Sequence, residues 1–192
     1  MIYVILGPSG CGKGTQAKLL GQKFGLPVIS SGEFLRRRAE QGDPLALQAK
    51  VYADRGDWPP FGIITRLIES ELESIDFKKG FVLDGTPRTI EQAPWLDEFL
   101  KAHQAEVSKA IHLETSLSQS HKRIEARVLE DTLRGHARSD ESEDAINERF
   151  ESYLETIQPI KEYYESQGKL VLVNNEQSIS GVHGEICHKL GL

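Results

Sequence analysis

Short, mostly apolar runs recur along the chain at 2–6, 27–30, 81–85, 107–113 and 170–173. Runs of this length predict strands buried on both faces. Between them the apolar spacing lengthens to the three and four of a helix. Ala17, Leu20 and Phe24 mark a helix over 16–24, and Ser30, Ser31 and Gly32 offer cap chemistry for another over 33–40, with Arg36 one turn in. Gly42, Asp43 and Pro44 stop that helix, and 45–53 predicts a further short one. The two prolines of Trp58-Pro59-Pro60-Phe61-Gly62 exclude regular structure there. From Ile63 onward, Ile64, Leu67, Ile68, Leu72 and Ile75 form an amphipathic stripe, and Ala93, Leu96, Phe99 and Leu100 form another.

A helix over 116–130 carries Arg123 and Arg127 four apart, hence on one face. Residues 130–142 have no apolar period, the composition of a functional lid or a disordered connection, and hold Arg134, His136 and Arg138. Asp140 and Glu143 match a capping box for the next helix. Its buried stripe is expected at Ile146, Phe150, Tyr153, Leu154, Ile157 and Ile160, with a kink near Pro159 and Arg149 away from most of the stripe. A closing helix follows over 178–190. Strands alternating with helices predict a parallel α/β sheet.

The 192 residues suit one domain. No run approaches the roughly 18 apolar residues of a membrane span, and residues 1–6 lead at once into Gly-Pro without a secretory apolar segment. A soluble, cytoplasmic protein is expected. Cys11 and Cys187, the only two cysteines, suggest neither a zinc site nor a disulfide framework. A net charge of −6 argues against nucleic acid as partner. Yet arginines gather at Arg36, Arg37, Arg38, Arg88, Arg123, Arg127, Arg134, Arg138 and Arg149, a pattern suited to gripping small polyanions. For Arg37, Arg38 and Arg134 a solvated helix face is an equal reading. His103, His112, His121, His183 and His188 read as structural or surface residues.

The stretch Gly7-Pro8-Ser9-Gly10-Cys11-Gly12-Lys13-Gly14-Thr15 joins a predicted strand to a predicted helix. In that context G-x-x-x-x-G-K is a phosphate cradle: glycines let backbone N–H groups converge, and the helix N-terminus favours an anion. Lys13 supplies a mobile point charge and Thr15 a hydroxyl for phosphate or Mg²⁺. Cys11 inside the loop reads as a small packing residue. Asp84 ends the third apolar run, where Mg²⁺ and its waters need an anion. Gly85 follows it, so the water-activating glutamate of many hydrolytic ATPases is missing.

With those residues placed, the chain resembles the nucleoside monophosphate kinases over nearly its whole length, closest to the short-lid adenylate kinases and then to UMP/CMP kinases. Gly7 to Thr15 with Gln16 is similar to the family's G-K-G-T-Q loop, whose threonine stands one place later than in most phosphate loops. The stretch 29–36 resembles the monophosphate-binding segment, which implies acceptor-site roles for Ser31 and Gly32 and a grip on the acceptor phosphate for Arg36. Asp84-Gly85-Thr86-Pro87-Arg88-Thr89 resembles D-G-F-P-R-T, which implies Mg²⁺ for Asp84, the acceptor phosphate for Arg88, and the adenine edge for Gln92. By the same likeness Arg123 lies against the ATP adenine, Arg127 at its phosphates, and Arg138 and Arg149 close on the transferring group. Departures cluster at the acceptor base: Thr86 replaces a phenylalanine, Ser31 a threonine or alanine, and Trp58-Pro59-Pro60-Phe61 a more regular segment whose backbone lines the base pocket. Glu33 leans toward the pyrimidine relatives, Thr89 and Gln92 toward adenylate kinase.

The resemblance implies a P-loop three-layer fold with a five-stranded parallel sheet, comprising a core (1–29, 61–127, 142–192), a monophosphate-binding flap (30–60) and a lid (128–141). It implies transfer of the γ-phosphoryl of Mg·ATP to AMP, with UMP or CMP as alternative acceptors, by a monomer without zinc in its lid. The partners expected are ATP and a nucleoside monophosphate, not nucleic acid or membrane. An attacking phosphate oxygen is already anionic, its second pKa being about 6, so no general base is required. A GTPase is disfavoured because N-K-x-D is absent, Asn174-Asn175-Glu176-Gln177 not supplying it. A small-metabolite kinase and a non-catalytic ATP sensor are the remaining rivals.

Overall fold

A computed structural model of the chain describes residues 1–133 and 143–191, with backbone alone at 127, 130–133 and 143–146. Its five strands are β1 (Ile2–Leu6), β2 (Val28–Ser30), β3 (Phe81–Asp84), β4 (Lys109–Glu114) and β5 (Leu170–Asn174). They form one sheet in the order β2-β3-β1-β4-β5, with every pair parallel. β1 sits at the centre and is buried throughout, as an apolar run with no polar alternation requires. The chain runs from β1 to one side of the sheet and later to the other. The crevice at the carboxyl ends of β1, β3 and β4 is therefore a topological switch point, where open α/β sheets bind ligands.

Helices cover both faces. On one face Ala17 and Leu20 of α1 (Lys13–Phe24) and Val182 and Ile186 of α8 (Ile179–Lys189) pack on Tyr3, Ile5 and Val171. The other face carries α2 (Ser31–Glu40), α3 (Pro44–Ala53), α4 (Phe61–Leu72), α5 (Gln92–Ala102) and α7 (Glu143–Ser166), which bury Phe34, Leu67, Ile68, Leu96, Leu100 and Tyr164 against Ile2, Val4 and Phe81. α6 (Leu117–Leu133) follows β4. Among the described residues no helix is long and apolar enough to cross a membrane.

Several local expectations shift. α2 begins at Ser31, and Ser30 makes no side-chain cap, because its hydroxyl donates to Asp84 Oδ2 at 2.9 Å instead. Gly42-Asp43-Pro44 ends one helix and starts the next: Asp43 accepts from the N–H groups of Leu45 and Ala46 at 2.8 and 3.3 Å, with Pro44 in the first turn. α4 starts at Phe61, since a proline restricts the residue before it and Phe61 and Gly62 lie after. α6 runs past 130 to Leu133, and β4 begins at Lys109 rather than 107. α7 continues through Pro159. Within it Leu154 is 56% exposed and Arg149 only 8%, so the apolar stripe is narrower than predicted and the arginine lies inward. Arg134, His136, Arg138 and Asp140 lie outside the described residues.

Candidate active site

β1 delivers the chain to the glycine loop, and α1 begins at Lys13 with Gly12 as its cap in the left-handed region, φ 95°. Gly10 also has positive φ (77°), and a side chain there would run into Ile124. Lys13 Nζ donates to the carbonyls of Gly7 and Pro8, each at 2.8 Å, which holds the ammonium at the loop mouth. Cys11 is fully buried, and burial pushes its thiol pKa up, consistent with packing rather than nucleophilic chemistry.

Asn175, to which the sequence assigns no role in the site, and Arg123 both hold this loop by hydrogen bonds to the Cys11 carbonyl. Asn175 is 2% exposed; its amide donates to Cys11 O and, at 2.6 Å, to Thr115 Oγ1. Arg123 donates to the same Cys11 carbonyl and to Asn175 O at 2.7 Å. Arg123 thus reaches the glycine loop and is part of its frame. The signal available was the place of Asn175, directly after β5 at the same carboxyl edge as the loop.

At the end of β3, Asp84 is 7% exposed, and its Oδ1 is buried without a hydrogen-bond partner among the described residues. A buried carboxylate oxygen with no donor suits a cation. Ser31 Oγ donates to Gly85 O at 2.9 Å, and Gly85 (φ 80°) leaves no room for a Cβ, which would stand 2.6 Å from that hydroxyl and 3.0 Å from the Arg88 guanidinium. Arg88 Nε donates to Gly85 O at 2.7 Å, its backbone N–H donates to buried Gln92 Oε1 at 2.8 Å, and its guanidinium lies 4.7 Å from the Trp58 ring centre. Arg149 donates to Ala53 O, at the end of α3, at 3.0 Å.

One cleft of about 1240 Å³ gathers these groups. Its lining includes Gly7, Ser9, Gly10, Cys11, Gly12, Lys13, Gly14, Thr15 and Arg123, and also Ser31, Gly32, Arg36, Trp58, Pro59, Asp84, Gly85, Arg88, Gln92 and Arg149. Arg37 and Arg38 stand apart in ion pairs with Glu71 and Asp43, as the solvated-face reading has it. Glu33 pairs with Lys18 at 3.1 Å on an exposed surface. The Arg127 side chain and all of Arg138 are outside the described residues.

Tyr153, one helical turn from Arg149, shares a 2.6 Å hydrogen bond with His112 of β4. Burial first, then the charges of Lys161 and Lys13, depress the His112 pKa to about 4. The unfolded chain, with an imidazole pKa of about 6.5, binds a proton that the native state refuses, so stability falls as pH drops from about 6.5 to 4. Denaturant titration at pH 7.5 and 4.5 is expected to show about 2–3 kcal/mol less acid loss in His112→Gln than in the parent. Equal losses would contradict the assignment.

Residues 5–169 match the family model described as adenylate kinase. The chain is 38% identical over 171 residues to a protein named adenylate kinase from Mycobacterium bovis (strain BCG / Pasteur 1173P2), covering 89% of this chain and 90% of that one. It is 37% identical over 171 residues to the protein of that name from Mycolicibacterium smegmatis, with the same coverage. With the namesake from Nitrobacter hamburgensis it shares 36% identity over 191 residues, 99% of this chain and 92% of the other.

Proposed function

The chain belongs to the adenylate kinase family, and from that premise we propose that it transfers the γ-phosphoryl group of ATP to AMP, giving two ADP. The observation that carries this reading is the single cleft in which Lys13 of the glycine loop and Arg36, Arg88 and Arg149 share the lining. Two polyanions repel one another, so a protein that joins them must supply fixed cations between and around them.

In this reading the loop N–H groups and Lys13 hold the donor's outer phosphates, and Arg123 lies beside the donor base. Arg36 and Arg88 hold the acceptor phosphate, and Gln92, Ser31, Gly32, Gly85 and the backbone of Trp58 and Pro59 surround its base. Arg127, Arg138 and Arg149 are assigned to the transferring group. Because an acceptor phosphate oxygen is anionic near neutral pH, the protein orients it in line and needs no base. Asp84, with its unpartnered Oδ1, and exposed Thr15 would hold Mg²⁺ through water. When bound, that ion neutralises phosphate charge.

The flap is assigned to 30–60 and the lid to 128–141, whose closure excludes water. The lid segment has no cysteine, and we assign it no zinc. A cytoplasmic monomer is the working form.

A pyrimidine acceptor is the second reading, because Thr86 and Trp58 depart from the family pattern at the acceptor base and Glu33 leans toward the pyrimidine relatives. Glu33 lends it less weight, being paired with Lys18. A coupled assay of AMP, dAMP, CMP, UMP, GMP and dTMP against Mg·ATP tests both. AMP is expected to give the highest kcat/KM; CMP or UMP ahead of it by about tenfold would overturn the adenylate assignment.

A further inference from the structure

Arg88 is held at two points from different parts of the chain. Its Nε donates to Gly85 O at 2.7 Å, while its guanidinium lies 4.7 Å from the centre of the Trp58 ring. That second distance is within cation–π range. The first contact ties the side chain to the sheet edge, and the second places a π face beside its fork. A planar fork grips a phosphate through two parallel N–H donors only when its plane is set correctly. An arginine oriented beforehand loses less rotamer freedom when the anion arrives.

Trp58 is suited to that task. Pro59 and Pro60 follow it and restrict the backbone on which the ring is carried. Its indole Nε1 is buried without a hydrogen-bond partner among the described residues. The ring is therefore held by packing and by the cation on its face, and a phenyl ring at the same place would forfeit no hydrogen bond. Both Trp58 and Arg88 line the cleft.

We propose that Trp58 is a positioning residue for the acceptor phosphate: its ring orients the Arg88 fork before the acceptor binds. This rests on the reading of Arg88 as an acceptor-phosphate residue. Trp58→Leu keeps apolar bulk and removes the π face. It is expected to raise the acceptor KM roughly tenfold, while kcat and the KM for ATP stay within about twofold. Trp58→Phe keeps a π face and is expected to recover most of the loss.

A double-mutant cycle separates orientation of Arg88 from direct contact with the acceptor base. With Arg88→Ala already in place, Trp58→Leu should raise the acceptor KM by less than about twofold further. An undiminished effect of Trp58→Leu in that background would overturn the proposal, as would Trp58→Phe behaving like Trp58→Leu, or a matching rise in the KM for ATP. If Arg88→Ala itself leaves the acceptor KM unchanged, the underlying reading of Arg88 fails and this inference with it. A normal Arg88→Ala defect with a silent Trp58→Leu sinks the inference alone.

Discussion

Lys13→Met is expected to lower turnover by roughly 10³- to 10⁵-fold, the range that phosphate-stabilising cations supply in phosphoryl transfer. Methionine retains an unbranched stem and removes the charge, so the variant isolates the ammonium. Among the described residues that ammonium bonds to the carbonyls of Gly7 and Pro8 and lies 4.0 Å from the Cys11 sulfur, and α1 is otherwise anchored by Gln16, Ala17, Leu20 and Gly21. Thermal unfolding should therefore shift little while steady-state kcat collapses. Near-normal turnover in a folded Lys13→Met protein would remove the glycine loop from the chemistry.

Arg88→Ala should cause a loss of the same order, roughly 10³- to 10⁵-fold, distributed differently. Because its guanidinium is held by Gly85 O and lies beside the Trp58 ring, its removal should raise the acceptor KM and depress kcat while the KM for ATP moves little. Arg88→Lys should restore only a small part. An ammonium replaces the charge and cannot reproduce the two-pronged grip of a guanidinium. Kinetics with each substrate varied in turn would check the split; a larger rise in the KM for ATP would contradict it.

The parts of this site legible beforehand are those whose chemistry is written in one continuous stretch. The glycine loop needs its lysine and helix start at fixed offsets, and Asp84 needs only to end a buried strand. What stayed hidden depends on residues that meet across the sheet. Ser30 is a good cap by type, yet the parallel register of β2 with β3 places it opposite Asp84 and its hydroxyl is taken there. Arg149 falls inward because Ala53 O lies within its reach, a contact 96 positions away in the chain that periodicity cannot see. Asn175 belongs to no motif that the sequence completes, yet its buried amide supports the Cys11 carbonyl from just beyond β5, two strands away from β1. The meeting of Trp58 with Arg88 needs the β3–α5 connection and the proline turn together.

The most direct measurement is calorimetric titration with a bisubstrate dinucleotide polyphosphate, two adenosines joined through five phosphates, beside titration with ATP. If cations on both sides of one cleft receive donor and acceptor together, the bridged ligand should bind at least about 10²-fold tighter than ATP, as linked ligands do when both sites are spanned, and Arg88→Ala should erase most of that advantage. Equal affinity for the two ligands would show that the cleft accepts a single nucleotide, and an advantage that survives Arg88→Ala would remove that arginine from the acceptor half.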